Sequence, residues 1–233
     1  TVVKKPIMTM KVNLFGTHNV IEAAVYNGVK KFIGFSTSEV YGPYIYKGSE
    51  DSLTTQGEVG KTRWTYAVSK LAAEHLIHCY KKEYGIDIVS IRPFNVYGPR
   101  QVGEGAVHKF ILNALSGEDI IIYGDGTQIR AWCYIDDFVD GALRCIIRKE
   151  AAGNVFNIGN PQSTVTILKL AEKIISLTRS KSKIYFKESP GADVEVRVPS
   201  IKKAQTILGF EPEVGLDEGL NRTIEWYSAL SNK

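Results

Sequence analysis

The chain has 233 residues, of which 44% are hydrophobic and 23% are charged, so it can bury a core and is not disordered as a whole. Its formal net charge of +4 is too small to indicate nucleic-acid binding. No apolar run reaches the roughly 18 residues of a membrane span. The three cysteines and four histidines form no ligand cluster, so we expect a reduced, cytoplasmic protein with no metal site.

The predicted elements alternate between helices and strands along the chain. Strands are predicted at 31–36, 87–91, 119–123, 154–158 and 183–187, and helices at 8–26, 65–84, 106–116, 135–147, 166–178, 201–208 and 216–227. This alternation is typical of an α/β parallel sheet with helices on both faces. The composition changes after Tyr97, where glycine-rich loops multiply. We therefore predict two interleaved lobes, residues 1–97 and 98–233.

The strongest chemical signal is the segment Tyr66-Ala-Val-Ser-Lys70 in the predicted helix 65–84. Residues four apart lie on one helix face, so the phenol and the ammonium share a surface. A phenol is a weak base at neutral pH, and a nearby ammonium lowers its pKa. Such a tyrosine can take a proton from a sugar hydroxyl while the hydride leaves the same carbon. The spacing alone is common by chance, and a half-exposed helix face has the same pattern.

Polar clusters at the ends of two predicted strands strengthen this reading. One strand ends in Ser36-Thr37-Ser38-Glu39-Val40-Tyr41-Gly42, and the next ends in Arg92-Pro93-Phe94-Asn95-Val96-Tyr97-Gly98-Pro99-Arg100. Open α/β sheets bind their ligands at the carboxyl ends of their strands. We therefore expect both clusters to lie beside Tyr66.

These motifs, in this order, resemble the extended short-chain dehydrogenases/reductases, the NAD-dependent epimerase/dehydratase group. Later segments extend the resemblance to almost all of residues 8–227: Gly124–Arg130, Tyr134–Asp137, Phe156–Asn160, 197–204 and Leu208–Pro212. The resemblance implies a Rossmann-like, doubly wound parallel sheet with a smaller C-terminal α/β substrate lobe. It also implies NAD as the cofactor, a nucleotide sugar (UDP- or dTDP-linked) as the substrate and a homodimer formed by the helices 8–26 and 65–84.

The resemblance assigns roles to individual residues. Tyr66 matches the catalytic base, Lys70 its partner and Thr37 the hydroxyl that binds the reacting group, while Ser38 and Glu39 complete the catalytic set. The residues matched to the cofactor are Asn13, Ser36, Tyr66, Lys70, Pro93, Phe94 and Val96. Those matched to the substrate are Asn95, Arg100, Val107, Tyr123, Arg130 and Arg197.

The substrate set has a chemical rationale in part. Arg130 and Arg197 match arginines that hold the substrate diphosphate, and a planar guanidinium suits two-point contact with phosphate. Asn95 matches a diphosphate contact, and Tyr123 matches a wall for the nucleobase. Arg100 is expected to position a loop. Surface solvation remains the alternative for both Arg130 and Arg197.

The sequence departs from the family pattern at its start. The opening strand with Gly-x-x-Gly-x-x-Gly and the acidic residue for the adenosine ribose are absent from the printed sequence. The later pairs Gly103/Gly105 and Gly124/Gly126 lack the spacing and context to replace that motif. The sheet is therefore expected to be incomplete, and the isolated chain is expected to bind NAD weakly.

The reaction is ranked from the residues that follow Thr37. Family members that eliminate water typically carry Asp-Glu here, whereas this chain has Ser38-Glu39, which matches UDP-glucuronate decarboxylases better. The segments Gly60–Tyr66 and Val196–Ile201 also resemble those decarboxylases. A UDP-sugar 4-epimerase is the close second hypothesis and a 4,6-dehydratase the third. Ser38, Glu39 and Arg130 are candidates for holding the carboxylate and protonating the enolate. A catalytically silent fragment or scaffold protein remains the alternative of another class.

Overall fold

The computed structural model describes residues 5–103, 105–189, 191 and 194–231. The helices in that part are α1 Pro6–Met10, α2 Gly16–Tyr26, α3 Thr65–Tyr84, α4 Ala106–Ser116, α5 Ile135–Ile147, α6 Ile167–Thr178 and α7 Leu216–Ser231. The strands are β1 Lys31–Phe35, β2 Tyr44–Gly48, β3 Asp87–Pro93, β4 Val96–Tyr97, β5 Ile120–Tyr123, β6 Ile129–Ala131, β7 Cys133–Tyr134, β8 Asn154–Ile158, β9 Thr164–Thr166, β10 Ile184–Lys187 and β11 Val196–Pro199.

A parallel three-stranded sheet in the order β1-β3-β8 supports the helix that carries the Tyr66–Lys70 segment. Its middle strand β3 is buried along nearly its whole length, as its apolar sequence DIVSI requires of a strand covered on both faces. Strand β8 belongs to this sheet although it follows residue 98, so the chain returns to the first sheet late in the sequence. The division into lobes at residue 97 stays a prediction.

Helix α3 carries the Tyr66–Lys70 segment and has the predicted bounds. It ends where Gly85 adopts a left-handed backbone with φ 72°, a conformation that glycine takes without steric cost. Lys81 and Lys82 lie in its last turn, where positive charge favours the helix dipole. Its small side chains Ala67 and Ala73 are buried, which lets the helix lie close against the sheet.

The predicted helix at 8–26 is interrupted in the structure. Helices α1 and α2 are joined by a π-helical segment, Lys11–Phe15, which contains Asn13. Inside helices, π-helical turns occur often at functional sites. Here the turn places the Asn13 amide against Ser69 of α3, with Nδ2 donating to Oγ at 2.9 Å.

The remaining described strands form smaller sheets that carry the candidate substrate residues. A four-stranded sheet has the order β2-β11-β6-β9, and the pairs β5/β10 and β4/β7 are parallel. Strands β2, β4, β6, β7, β9 and β11 were not predicted from the sequence. Each has two to five residues, too few for a periodic signal. The predicted helix at 201–208 is a π-helical turn, Ala204–Leu208.

Candidate active site

The turn after β1 places three candidate catalytic residues together. A short 3-10 helix, Ser38–Tyr41, begins after Thr37, whose hydroxyl oxygen accepts a hydrogen bond from the Glu39 backbone N–H at 3.2 Å. This is the usual capping role of threonine. Thr37 and Ser38 are buried, whereas the Glu39 side chain keeps 21% of its surface exposed. The turn therefore presents a carboxylate above two buried hydroxyls.

Tyr66, the second residue of α3, lies beside this turn. The Tyr66 phenol lies close enough to the Thr37 side chain for that side chain to lower the pKa of the phenol. One helical turn further on, the Lys70 ammonium donates to the Phe35 carbonyl oxygen at 2.7 Å. The structure thus brings Thr37, Tyr66 and Lys70 to the carboxyl end of β1, where the sequence places them.

The protonation of Tyr66 differs from the sequence expectation. Burial raises the pKa of the Tyr66 phenol above its ordinary value, and the nearby Glu39 carboxylate raises that pKa further, against a lowering by the Thr37 side chain. The expected lowering of this pKa by Lys70 is not found, because the ammonium is directed at the Phe35 carbonyl. Burial also lowers the pKa of Lys70.

Glu39 is held by two arginines from distant parts of the chain. Arg63 donates to both carboxylate oxygens, from Nη1 to Oε2 at 2.7 Å and from Nη2 to Oε1 at 3.2 Å. Arg197 Nη1 lies 3.7 Å from Glu39 Oε1, and Arg197 Nη2 donates to the Gly42 carbonyl at 2.9 Å. Glu39 therefore links the turn after β1 to the start of α3 and to β11. The residues Thr37, Glu39, Arg63 and Tyr66 are called the site rim below.

Arg130 and Arg197 lie side by side, since they are register partners on the paired strands β6 and β11. Both are buried. Arg130 donates to the backbone carbonyls of Ile129 at 3.0 Å, Glu195 at 3.3 Å and Val194. Two buried guanidinium groups therefore lie on adjacent strands, and a guanidinium is the side-chain group that best suits contact with a phosphate or carboxylate.

Three of the seven residues expected at the cofactor also meet at one place. Asn13, Ser36 and Lys70 line a cavity of about 420 Å³ together with Gly34 and Phe35 of β1. The Ser36 hydroxyl is buried and has no hydrogen-bond partner among the described residues. An amide, an unsatisfied hydroxyl and an ammonium can donate hydrogen bonds to the two hydroxyls of a ribose and to the oxygen of a carboxamide. This donor set fits the nicotinamide half of NAD.

The other predicted site residues fall into three groups. Asn95, between β3 and β4, has a left-handed φ of 41°, and its Nδ2 donates to the Ala131 carbonyl at 2.9 Å. Its chain neighbours are Phe94, which is fully buried, and Pro93 and Val96, which are half-buried. Tyr123 and Arg100 are exposed. Val107 lies in the core beside Phe110 and Ile111 with 1% of its surface exposed, so its side chain packs α4 against the core, and its match to the substrate stays a prediction.

A buried polar network that the sequence analysis did not find lies beneath the site. Arg92 donates to both oxygens of Glu74, at 2.6 and 3.2 Å, and to the Tyr41 hydroxyl at 2.7 Å. Tyr41 in turn donates to Asn157 Oδ1 at 2.8 Å. These four residues, called the site floor, join α3, β3, the turn after β1 and β8. The only sequence signals were an arginine within an apolar strand and a glutamate on the inner face of a helix.

The fold and these residues define a class: a Rossmann-like α/β protein with the Tyr-x-x-x-Lys pair of the short-chain dehydrogenases/reductases at the carboxyl end of its sheet. Within that class, the chain belongs to the NAD dependent epimerase/dehydratase family, whose model matches residues 2–159. The family assignment made from the motifs is confirmed.

Two similar proteins are named as enzymes that act on sugar nucleotides. The chain is 36% identical to the UDP-N-acetyl-alpha-D-glucosaminuronate decarboxylase of Bacillus cytotoxicus, over all of this chain and 74% of the relative. It is 38% identical to UDP-glucuronic acid decarboxylase 1 of Danio rerio, over 96% of this chain. The chain spans about half of that second relative, 53% of its length.

A solved structure gives the same result for the fold. The UDP-glucuronic acid 4-epimerase of Bacillus cereus, in complex with UDP-glucuronic acid and NAD, superposes with a TM-score of 0.87 at 34% identity. The alignment covers 94% of this chain and 68% of that one. The fold class and the cofactor, NAD, that were expected from the sequence are thereby confirmed. None of the helices in the described part of the chain is both long and apolar enough to cross a membrane.

Proposed function

We propose that the protein to which this chain belongs removes CO2 from a UDP-linked uronic acid by way of a transient ketone at C4 of the sugar. The observation that carries the proposal is the meeting of Tyr66 and Thr37 with the Glu39–Arg63–Arg197 cluster at one strand end. The proposal is further supported by similarity to two decarboxylases that act on UDP-linked uronic acids.

The first step is assigned to the site rim. Tyr66 takes the proton of the C4 hydroxyl, and Thr37, which lies beside Tyr66, holds that hydroxyl in place. NAD, when bound, supplies the acceptor for the hydrogen that leaves C4 with its electron pair. Asn13, Ser36 and Lys70 are the residues of this chain that would hold the nicotinamide half. Lys70, beside Phe35, also supplies a positive charge on the same helix face as Tyr66.

The second step follows from the chemistry of a β-keto acid. A ketone at C4 stands β to the C6 carboxylate, so the C5–C6 bond breaks and its electrons move toward the C4 oxygen as CO2 leaves. The resulting enolate needs a positive environment and then a proton at C5. Arg197 and Arg130 supply the positive charge, while Ser38 and Glu39 are the candidates for positioning the carboxylate and for proton delivery.

A second candidate is 4-epimerisation, in which the same C4 ketone is reduced again from the opposite face. Similarity to the Bacillus cereus UDP-glucuronic acid 4-epimerase at 34% identity supports it. The two candidates share Tyr66, Thr37 and the UDP-uronic acid, and they differ in the fate of the carboxylate.

The product decides between the two candidates. The full-length protein is incubated with NAD and UDP-glucuronate labelled at C6, or the N-acetylglucosaminuronate analogue, while released CO2 and the remaining sugars are followed by NMR. The decarboxylase proposal requires one CO2 for each UDP-pentose formed, because the hydrogen and electron pair taken from C4 would return from the reduced cofactor to the C4 ketone after CO2 has left. A C4 epimer that retains the labelled carboxylate would replace it with the epimerase, and turnover of neither substrate would contradict both.

We also propose that two copies of the protein associate through the helices α2 and α3. These helices pack together, with Tyr80 and His18 hydrogen-bonded at 2.9 Å, yet Phe15, directly before α2, and Tyr84, at the end of α3, remain more than half exposed. Exposed apolar and aromatic side chains on paired helices suit an interface between copies. Sedimentation analysis of the full-length protein should give the mass of a dimer, and the double change Phe15→Glu/Tyr84→Glu should give that of a monomer.

A further inference from the structure

Arg63 occupies a connecting position in the active site that no motif assigns. It lies in a 3-10 turn, Thr62–Trp64, immediately before α3, and three residues before Tyr66. Its guanidinium binds both oxygens of Glu39, which is two residues after Thr37. The start of α3 and the turn after β1 are therefore joined by a two-point ion pair next to the phenol.

The geometry of this pair is well suited to fixing a carboxylate. Two parallel N–H···O bonds define both the position and the plane of the Glu39 carboxylate, which a single contact from lysine would not do. Glu39 keeps 21% and Arg63 32% of their side-chain surface exposed, so the pair lies at the mouth of the site and not in the core. The pair is therefore accessible to a bound sugar.

The Glu39–Arg63 pair also affects the net charge around Tyr66. The charged groups on the elements that meet at Tyr66 are Glu39 on the turn, Arg63 and Lys70 at either side in the chain, and Arg197 on β11. Glu39 is the one negative group among these four, and its charge disfavours the phenolate form of Tyr66. A guanidinium 2.7 Å from Glu39 offsets that negative charge.

We propose that Arg63 is a positioning residue that fixes the Glu39 carboxylate beside Tyr66 and offsets its charge there. The inference deepens the proposed function, on which it rests for the role of Tyr66 as the base. Arg63 acts through Glu39 and contacts neither of the reacting atoms. Its loss leaves Glu39 with a weaker positive partner, Arg197 at 3.7 Å, and makes the phenolate of Tyr66 harder to form.

The direct test is a titration of Tyr66 in the full-length protein, with and without NAD. Tyrosines are labelled with carbon-13 at the ring carbon that bears the hydroxyl, and the Tyr66 signal is identified by its loss in Tyr66→Phe. Arg63→Met should raise the pKa of Tyr66 by about one unit, whereas Arg63→Lys should restore most of the wild-type value. Arg222→Met, which removes an exposed ion pair on α7, is the matched control and should leave the titration unchanged.

Glu39→Gln separates this mechanism from a general structural role. It should lower the pKa of Tyr66, and Arg63→Met added to it should then shift the titration by less than a third of its effect in the wild type. Arg63→Met should also lower kcat on the order of tenfold, move the rising limb of the pH profile upward and leave KM within about twofold.

Two results would overturn the role of Arg63: an unchanged Tyr66 titration in Arg63→Met, or an equal shift in the Glu39→Gln background. The titration needs no turnover, so it judges Arg63 even if the wild-type protein acts on no UDP-uronic acid, the result that contradicts the proposed function. Thermal unfolding of each variant excludes misfolding as the cause of a shift.

Discussion

Among the described residues, two glutamate–arginine pairs with two-point geometry lie at the end of the sheet that carries Tyr66, and their surroundings give them different roles. In the site floor, Glu74 and Arg92 are only 5–6% exposed and are enclosed by Tyr41 and Asn157. In the site rim, Glu39 and Arg63 have a similar two-point geometry but remain 21–32% exposed. Both pairs join α3 to strands or turns, so geometry alone does not distinguish them.

The difference lies in what happens when one partner is lost. A buried charge without its partner cannot be solvated, so the site floor is sensitive to any single substitution. A partly exposed charge that loses its partner is solvated by water, so a substitution of Glu39 or Arg63 in the site rim need not unfold the protein. The floor therefore supports the fold around Tyr41, while the rim controls the charge around Tyr66.

The largest expected effect is on the floor. Glu74→Gln leaves Arg92 buried without its carboxylate and should lower the free energy of unfolding by about 3–5 kcal/mol. Urea denaturation measures the change. Glu172→Gln, which breaks the exposed pair with Lys169 on α6, is the matched control and should cost less than about 1 kcal/mol. Equal losses in the two variants would remove the distinction between buried and exposed pairs.

A smaller effect is expected at Tyr41, which links the floor to the turn after β1. Tyr41→Phe removes the acceptor of the 2.7 Å bond from Arg92 and the donor of the 2.8 Å bond to Asn157. The unfolding free energy should fall by about 1–3 kcal/mol, because two buried polar groups each lose a partner. A loss below about 0.5 kcal/mol would show that water replaces the hydroxyl and that the floor is not sealed.

At the site rim, a substitution is expected to lower the activity more than the stability. Thr37→Val removes the oxygen that lies beside the Tyr66 phenol and that accepts the hydrogen bond from the Glu39 backbone N–H. We expect kcat on UDP-glucuronate to fall on the order of tenfold or more, with about 1 kcal/mol lost in stability. Thr37→Ser keeps the oxygen and should retain most of the activity. A Thr37→Ser variant as slow as Thr37→Val would mean that the methyl group, not the oxygen, is needed.

The smallest effect is a pH dependence at the edge of the floor. Burial lowers the pKa of His78 below 6.5, and Arg92 lowers it further against the opposing effect of Glu74. The unfolded chain therefore binds this proton more readily, so stability should decline as the pH falls below about 6.5, until the lowered pKa is passed. His78→Gln should flatten this part of the profile of stability against pH. A slope equal to that of the wild type would assign the decline to other groups.

The floor and the rim also differ in how far the sequence predicts them. Tyr66 and Lys70 were found because their spacing on α3 is local and the helix bounds follow from Thr65 and Gly85. Thr37 and Glu39 were found because they directly follow an apolar strand. Arg63 was present in a quoted segment, but its pairing with Glu39, 24 residues away, depends on how the turn and helix meet in space.

The remaining features depend on tertiary contacts that a single sequence does not encode locally. The short strands β6 and β11, which place Arg130 beside Arg197, have too few residues for a periodic pattern. The expected lowering of the Tyr66 pKa by Lys70 was wrong, because burial and Glu39 raise that pKa while the ammonium is directed at the Phe35 carbonyl, and these effects require coordinates. The identity of the reaction stays a proposal, since decarboxylases and epimerases share these motifs.

The central claim is that the Tyr66 hydroxyl removes a proton from the substrate, and comparing Tyr66→Phe with Tyr80→Phe in the full-length protein tests it most directly. Both tyrosines lie on α3, but Tyr80 faces His18 and not Thr37. With UDP-glucuronate and NAD, Tyr66→Phe should lower kcat about a thousandfold while substrate binding persists, and Tyr80→Phe should retain nearly full activity. A Tyr66→Phe variant as active as Tyr80→Phe would contradict the account.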